Sequence, residues 1–195
     1  KEGYGLIGIE QWGNIQWQTM NNAFTYATTL EVYNATDAPD LTQVIDMNSM
    51  FGNATLFNGD IGNWVVSNVQ SMGAMFAEAS SFNQNLSGWT TNNVSDMSFM
   101  FNNATSFDQN LGDWDIGNVD NMGQMLNNSG MSPQNFSATL IGWEAADNTP
   151  PSDIVLGAVG VEICLTGEAS AAFQSLTDPN TYNWTINYAG PGACE

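Results

Sequence analysis

The sequence has almost no basic side chains. Its 195 residues include one lysine, no arginine and no histidine against 20 acidic residues, for a formal net charge of −19. Such a charge repels phosphate backbones and anionic lipid, so nucleic acids and membrane surfaces are poor partners. The missing histidine excludes Ser-His-Asp and Cys-His catalytic arrangements, and the missing arginine leaves no clamp for a transferring phosphoryl group. The expected partners are therefore cationic, or neutral and polar.

Long hydrophobic runs and cysteines are also scarce. No apolar segment approaches the length needed to cross a bilayer, so no membrane insertion is expected. The opening residues 1–3 lack the character of a signal peptide, which we interpret as a mature or excised piece of a longer protein. The two cysteines, Cys164 and Cys194, are compatible with a disulfide that closes the C-terminal segment or with two buried thiols. Of these alternatives we predict the disulfide.

Hydrophobic residues, at 43% of the chain, recur in columns with a fixed period. Trp64, Trp89 and Trp114 lie 25 residues apart. The same step relates further columns, namely Met47, Met72, Met97 and Met122; Met50, Met75, Met100 and Met125; Phe57, Phe82 and Phe107; and Ile61, Leu86 and Leu111. A period in this range is typical of a solenoid, in which each unit buries its apolar face against its neighbours.

Each unit is predicted to contain one short helix and one short strand. The apolar residues within 97–104 fall at i, i+3, i+4 and i+7, which is one face of a two-turn helix. A residue of a strong N-cap type precedes the first methionine of each unit. These N-cap candidates are Thr19, Asp46, Ser71, Asp96 and Asn121. Segment 82–86 alternates apolar and polar residues, as a half-buried strand does.

The period ends near Leu126, and the patterns beyond it differ. They predict a longer amphipathic helix over 135–143, a strand at 154–156, a helix near 168–176 and a final strand around 184–186. A solenoid needs an atypical end to cover its last apolar face. We therefore predict a repeat solenoid at 1–126, irregular in its first units, and a C-terminal α/β capping unit of the same domain at 127–195.

The repeat resembles that of a known family. From Met75 to Phe101 the chain has the pattern MF-x-x-A-x-x-FN-x-x-L-x-x-W-x-x-x-x-V-x-x-M-x-x-MF, which is similar to the BspA-like leucine-rich-repeat surface proteins of bacteria. The C-terminal stretches LIGWEAAD, IVLGAVGVEIC and WTI are similar to the closing segment of their Bacteroidetes members. The resemblance implies a secreted or cell-surface adhesion protein with a curved, right-handed, leucine-rich-repeat-like stack. It implies no catalytic residues, and Pro39 departs from the tryptophan column.

The polar positions of the strand segments predict a ligand-binding surface. If Phe82 and Leu86 point inward, alternation points Asn83 and Asn85 outward. Stacked units then present two polar columns, Asn58, Asn83 and Asp108 beside Asp60, Asn85 and Asn110. The equally weighted alternative is that these residues are merely solvated, or form an internal ladder that satisfies backbone groups.

Three classes of function are compatible with this organisation. The leading hypothesis is a non-catalytic recognition or adhesion module that binds an extended extracellular protein or polysaccharide on the strand face. The alternative is a structural protein that self-associates, or that orders ice or a polymer, through its periodic polar array. An enzyme is not expected, and the chemistry left to one is a carboxylate pair of glycosidase type.

One acidic cluster, formed by Asp113, Asp115 and Asp120, is the best candidate for such a pair. Solvated surface carboxylates are the simpler interpretation. The same cluster is a weak candidate for calcium, which prefers several oxygen ligands, but it lacks the spacing of a calcium-binding loop. No other cofactor is expected.

Overall fold

Regular secondary structure is sparse and lies mostly after residue 132. The structure is a computed structural model that describes residues 5–145 and 149–194. Its elements are β1 (Gly8–Ile9), β2 (Val32–Tyr33), α1 (Pro133–Glu144), β3 (Val155–Ile163), α2 (Gly167–Thr177) and β4 (Thr185–Pro191). β1 pairs in parallel with β2, and β3 with β4. Residues 1–4 of the predicted repeat region, and 146–148 and 195 of the predicted cap, lie outside the described residues.

Between β2 and α1 the chain stacks successive units through backbone hydrogen bonds. In one unit Met47 N donates to Ser71 O over 2.9 Å, Ser49 N to Gly73 O over 2.8 Å and Phe51 N to Met75 O over 2.9 Å. The amides of the next unit donate in the same way to the unit after it, as Met72, Ala74 and Phe76 do to Asp96, Ser98 and Met100. Single parallel bridges join Asp46, Ser71, Asp96 and Asn121 in one row. Backbone pairing therefore repeats with the period seen in the sequence.

The two-turn helices predicted for the units are runs of turns in the structure. Within 47–54, the amides of Met50, Gly52 and Ala54 donate to carbonyls three residues earlier, and the amides between them donate to the next unit. Ser49 and Asn53 have positive φ angles of 53° and 60°. Because every second N–H bonds between units, a continuous i→i−4 series cannot form. The predicted helical face is nevertheless buried.

Four of the five N-cap candidates cap turns and not helices, whereas the Ser71 hydroxyl donates to Asn48 Oδ1. Asp46 Oδ1 accepts a hydrogen bond from Asn48 N over 2.9 Å, and Asp96 Oδ1 accepts one from Ser98 N over 3.0 Å. These bonds reach the amide two residues further on, as short polar side chains do at turns. Segment 82–86 has no regular secondary structure, so the predicted strand does not form there. The α/β, leucine-rich-repeat-like class of the solenoid and its right-handed sense stay predictions.

A single hydrophobic cluster runs from Ile9 to Trp184. Phenylalanine rings form its axis: Phe57 stacks on Phe82 at 5.9 Å between centroids, and Phe82 on Phe107 at 6.1 Å. The tryptophans form a second row, in which Trp114 Nε1 donates to Leu86 O over 3.0 Å. Trp143 on α1 continues this row by donating to Leu111 O over 2.9 Å, although it lies off the 25-residue period. The helix therefore covers the last tryptophan as a further unit would.

The C-terminal segment extends the backbone ladder before closing it. Leu126 N donates to Gly157 O over 2.8 Å, so β3 pairs with the last unit. A Cβ at Gly157 would lie 2.2 Å from Gln124 N, so only glycine permits this approach. Cys164 and Cys194 form a disulfide with Cα atoms 5.2 Å apart, which ties the residues after β4 to the end of β3. The helices and strands predicted from the patterns beyond Leu126 correspond to α1, α2, β3 and β4.

Truncation of a central ring tests the stacked core. Phe82 is fully buried between Phe57 and Phe107, so Phe82→Ala is expected to lower the free energy of unfolding by about 3–5 kcal/mol, as large-to-small core changes do. Phe99→Ala is the matched control, because Phe99 is 39% exposed, and its cost is expected to stay near about 0.5 kcal/mol. Urea titration measures both. Equal midpoints for the two variants would contradict the stacked core.

Candidate functional site

Three successive units together form a polar depression of about 940 Å³. Glu31, Tyr33 and Thr36 line one side of it, segment 58–63 forms the middle, and segment 85–88 lines the other side. The depression includes Asn58, Asp60 and Asn85 from the two predicted polar columns. In this depression the predicted ligand-binding residues lie beside an aromatic ring, that of Tyr33.

The depression has room because one unit has a glycine at a position where the next two units have glutamine. Gln84 and Gln109 lie at equivalent positions, 25 residues apart, and each donates through Nε2 to an asparagine of the preceding unit. These bonds run from Gln84 to Asn58 Oδ1 over 2.9 Å and from Gln109 to Asn83 Oδ1 over 2.7 Å. The unit before has Gly59 at this position, where a Cβ would lie 2.5 Å from Tyr33 Cγ. The missing side chain lets the Tyr33 ring lie against the backbone.

The Tyr33 ring is held from two sides. Its hydroxyl accepts a hydrogen bond from Trp12 Nε1 over 3.1 Å, and its ring meets Phe57 edge to face at 6.1 Å between centroids. The side chain is half-buried and lines the depression. Because the hydroxyl is already bonded, the ring offers the depression mainly an apolar surface.

The first predicted polar column is engaged inside the fold. Asn58 Oδ1 accepts from Asn83 N over 2.9 Å, and Asn83 Oδ1 accepts from Asp108 N over 2.9 Å. Asp108 Oδ1 then accepts from Ser132 N over 2.7 Å and from Asn135 Nδ2 over 2.8 Å, which ties the column to the start of α1. This is the internal ladder of the alternative hypothesis. Asn83 and Asp108 therefore hold adjacent units together.

The second predicted column caps turns and remains at the surface. Asp60 Oδ1 accepts from Gly62 N over 3.1 Å, Asn85 Oδ1 from Ser87 N over 2.9 Å, and Asn110 Oδ1 from Gly112 N over 2.8 Å. All three residues are exposed. Within the described residues, the second oxygen of Asp60 and the Nδ2 of Asn85 make no hydrogen bond. Asp60 and Asn85 thus keep free groups in the depression, whereas Asn110 does not line it.

Sequence reasoning missed Glu31 and Tyr33. Both precede the first regular unit, where the 25-residue columns do not apply. The available signal was the glycine at position 59 in a column that otherwise contains glutamine, because a lost side chain in a repeat leaves space.

Asp108 has the clearest electrostatic role among the predicted residues. Burial acts to raise the pKa of its carboxyl, but hydrogen bonds from the Ser132 backbone and the Asn135 side chain outweigh burial. The pKa of Asp108 therefore lies below its usual value, since these donors favour the charged form. Asp37 is similar: hydrogen bonds from Trp12 N and then Gly13 N lower its pKa, and they tie together segments 25 residues apart.

The predicted cluster of Asp113, Asp115 and Asp120 does not form a metal site in the structure. All three side chains are exposed, and Asp115 Oδ1 accepts from Gly117 N over 2.9 Å as a turn cap. Across residues 5–145 and 149–194, no three acidic or cysteine side chains are arranged to hold a metal ion. The three carboxylates are therefore not grouped as calcium ligands in the described structure, and the weak calcium prediction gains no support from it.

The chain is built from stacked units, and a comparison with known families identifies the family to which it belongs. Residues 9–140 match the family described as "Mycoplasma protein of unknown function, DUF285". The match covers more than half of the chain, so the chain belongs to this family. No curated protein and no solved structure matches the chain significantly. None of the helices in the described residues is both long and apolar enough to cross a membrane.

The link between Asp108 and α1 predicts a specific pH dependence. With its pKa lowered in the fold, the Asp108 carboxylate stabilises the fold fully above its unfolded pKa of about 3.9. This stabilisation is lost as pH falls through the lower folded pKa. Asp108→Asn keeps the accepting oxygen but cannot titrate, so the stability of the parent relative to this variant should fall as the pH drops from about 4 through the lowered pKa of Asp108.

The control for this experiment is Asp113→Asn, which changes an exposed carboxylate that makes no hydrogen bond within the described residues. In thermal melts across the acid range, the stability of this control is expected to depend on pH as that of the parent does. Parallel profiles for the parent and Asp108→Asn would contradict the role of the Asp108 carboxylate.

Proposed function

We propose that the chain is a non-catalytic recognition module of a secreted or cell-surface protein, which binds an extended polysaccharide or protein along its polar face. The observation that carries the proposal is the depression formed by three units, in which polar groups without internal partners surround a fixed aromatic ring. The resemblance to BspA-like surface proteins supports the extracellular location and the adhesive role.

Charge supports a partner that is cationic or neutral. The single lysine, Lys1, lies outside the described residues, so Glu31 and Asp60 have no described basic side chain to neutralise them. Their charges add to the field of a chain with a net charge of −19. Such a field raises the local concentration of cations and repels anions. Anionic partners are therefore disfavoured at the depression.

The regular stack supports an extended partner. Successive units repeat the same exposed positions at a constant backbone step, so a long ligand can make similar contacts with each unit in turn. Many weak contacts of this kind add up when they are joined in one ligand. The depression is then the point on this surface where the contacts are densest.

A pair of substitutions that introduces positive charge tests whether the depression binds a ligand. Thr36 and Asn63 line it, are exposed and make no side-chain hydrogen bond within the described residues, so Thr36→Lys with Asn63→Lys should leave the fold intact. Binding to a panel of matrix proteins and polysaccharides, measured by biolayer interferometry, is expected to weaken by at least about tenfold, or about 1.4 kcal/mol.

The matched control places the same substitutions outside the depression. Thr90 and Asn92 are exposed and do not line it, so Thr90→Lys with Asn92→Lys changes the same residue types and the same charge. This control is expected to bind as the parent does. Equal loss in both double variants would mean that the depression is not the binding surface.

Self-association is a second candidate function. The observation that favours it is an apolar depression in the first units of the stack, far from the cap in the chain. Trp12, Trp17 and Phe24 line an apolar depression of about 580 Å³ there, and Ile15 beside them is 59% exposed. The indole Nε1 of Trp17 is buried and has no hydrogen-bond partner among residues 5–145 and 149–194. Exposed apolar surface that the next unit covers elsewhere in the stack favours contact with another molecule.

Salt separates this function from ligand recognition. Two copies that each carry a charge of −19 repel one another, so association should strengthen as salt screens the repulsion between about 0.05 M and about 0.5 M NaCl. Sedimentation velocity is expected to show this shift in the parent, and Ile15→Lys is expected to abolish it. Ile45→Lys, at another exposed isoleucine, is the control. A protein that stays monomeric throughout contradicts self-association at this end.

A further inference from the structure

We infer that the depression is a subsite for one or two sugar residues of a neutral glycan, an inference that rests on the proposed function and narrows it to one ligand class. Its starting point is the set of polar groups that the fold leaves unused. Within the described residues, the amide nitrogens of Asn58 and Asn85 and the side chains of Thr36 and Asn63 make no hydrogen bond, and neither do the Glu31 carboxylate and the outer oxygen of Asp60.

This set contains hydrogen-bond donors and acceptors side by side. A sugar hydroxyl both donates and accepts, so it needs a partner of each kind. Asp60 and Asn85 come from equivalent positions of adjacent units and are each held by a turn-capping hydrogen bond. An anchored carboxylate with a neighbouring amide suits two hydroxyls on adjacent carbons of a sugar ring.

Tyr33 supplies the apolar part of such a site. A pyranose ring has a face of C–H groups, which packs on the electron-rich face of an aromatic ring. The hydrogen bond from Trp12 and the contact with Phe57 already hold the ring in place. A ligand therefore does not have to order the ring, which lowers the entropic cost of binding.

The other ligand classes fit less well. A lysine or arginine side chain would engage Glu31 and Asp60 but would leave the amide donors of Asn63 and Asn85 without acceptors, and such unpaired donors are costly where water is displaced. An acidic sugar would be repelled by the two carboxylates. The volume of about 940 Å³ is in the usual range for small-molecule sites, and the depression is open to solvent, so a chain can continue beyond it.

The test fills the depression with a bulky side chain. Asn63→Trp places an indole in it, and Thr36→Trp does so from the preceding unit in case the first variant does not fold. Asp113→Trp is the control, because Asp113 occupies the same repeat position as Asn63, 50 residues later, and is exposed. The probes are dextran, yeast mannan and laminarin as neutral polysaccharides, polylysine as a cation and heparin as an anion.

We expect at least one neutral polysaccharide to bind, with an affinity that changes by less than about twofold between about 0.05 M and about 0.5 M NaCl. Isothermal titration calorimetry should show that Asn63→Trp and Thr36→Trp each lower the affinity for this polysaccharide by at least about tenfold, and that Asp113→Trp leaves the affinity unchanged.

Three results would overturn the inference. Binding of polylysine alone, weakened by salt and lost in Asn63→Trp, would assign the depression to a basic partner and leave the proposed function standing. Binding of a neutral polysaccharide that both tryptophan variants retain would move the glycan site out of the depression. A folded parent protein that binds none of the probes would overturn both the glycan subsite and the polysaccharide arm of the proposed function.

Discussion

The hydrogen bond from an amide of one unit to a carbonyl of the next is the interaction on which the rest of the structure depends. A turn run such as 47–54 bonds half of its amides locally and the other half to the following unit. Alone, such a unit would leave those amides to water and its phenylalanine and methionine side chains exposed, so it would bury too little apolar surface to offset the entropic cost of ordering its backbone. Positive φ at Ser49, Asn53 and their counterparts is the backbone geometry that makes this alternation possible.

Side-chain amides extend the same pairing where the backbone does not reach. Asn83 Oδ1 accepts a hydrogen bond from the backbone amide of Asp108, which is the role of a backbone carbonyl in a sheet. Asn93 does the reverse, donating through Nδ2 to Ser67 O over 2.8 Å. Uncharged asparagine can do this work without the desolvation cost of a buried charge, which explains a chain that is rich in polar residues but only 11% charged. Function then falls to the polar groups that this pairing leaves free.

The sequence predicts the core of this protein better than its local conformation. The periodic columns identify Phe82, Met97 and Trp114 as core residues, and all three are fully buried. The spacing i, i+3, i+4, i+7 cannot distinguish an α-helix from a turn run of similar pitch, because both place the same side chains on one face. Trp143 shows the same limit: its place in the tryptophan row depends on the rise of α1, which no residue period encodes.

For the candidate site, too, the sequence determines some features and the tertiary structure determines others. The sequence by itself establishes the repeat, the lack of cationic and imidazole chemistry, and the two polar columns, because each depends only on residue identity and spacing. Only the tertiary structure shows that Asn83 and Asp108 are used inside the fold while Asp60 and Asn85 keep free groups. The reason is that a side chain's availability depends on which backbone groups of the neighbouring unit lie within its reach. The depression itself arises where Gly59, a residue without a side chain, meets the Tyr33 ring brought to it by the preceding unit.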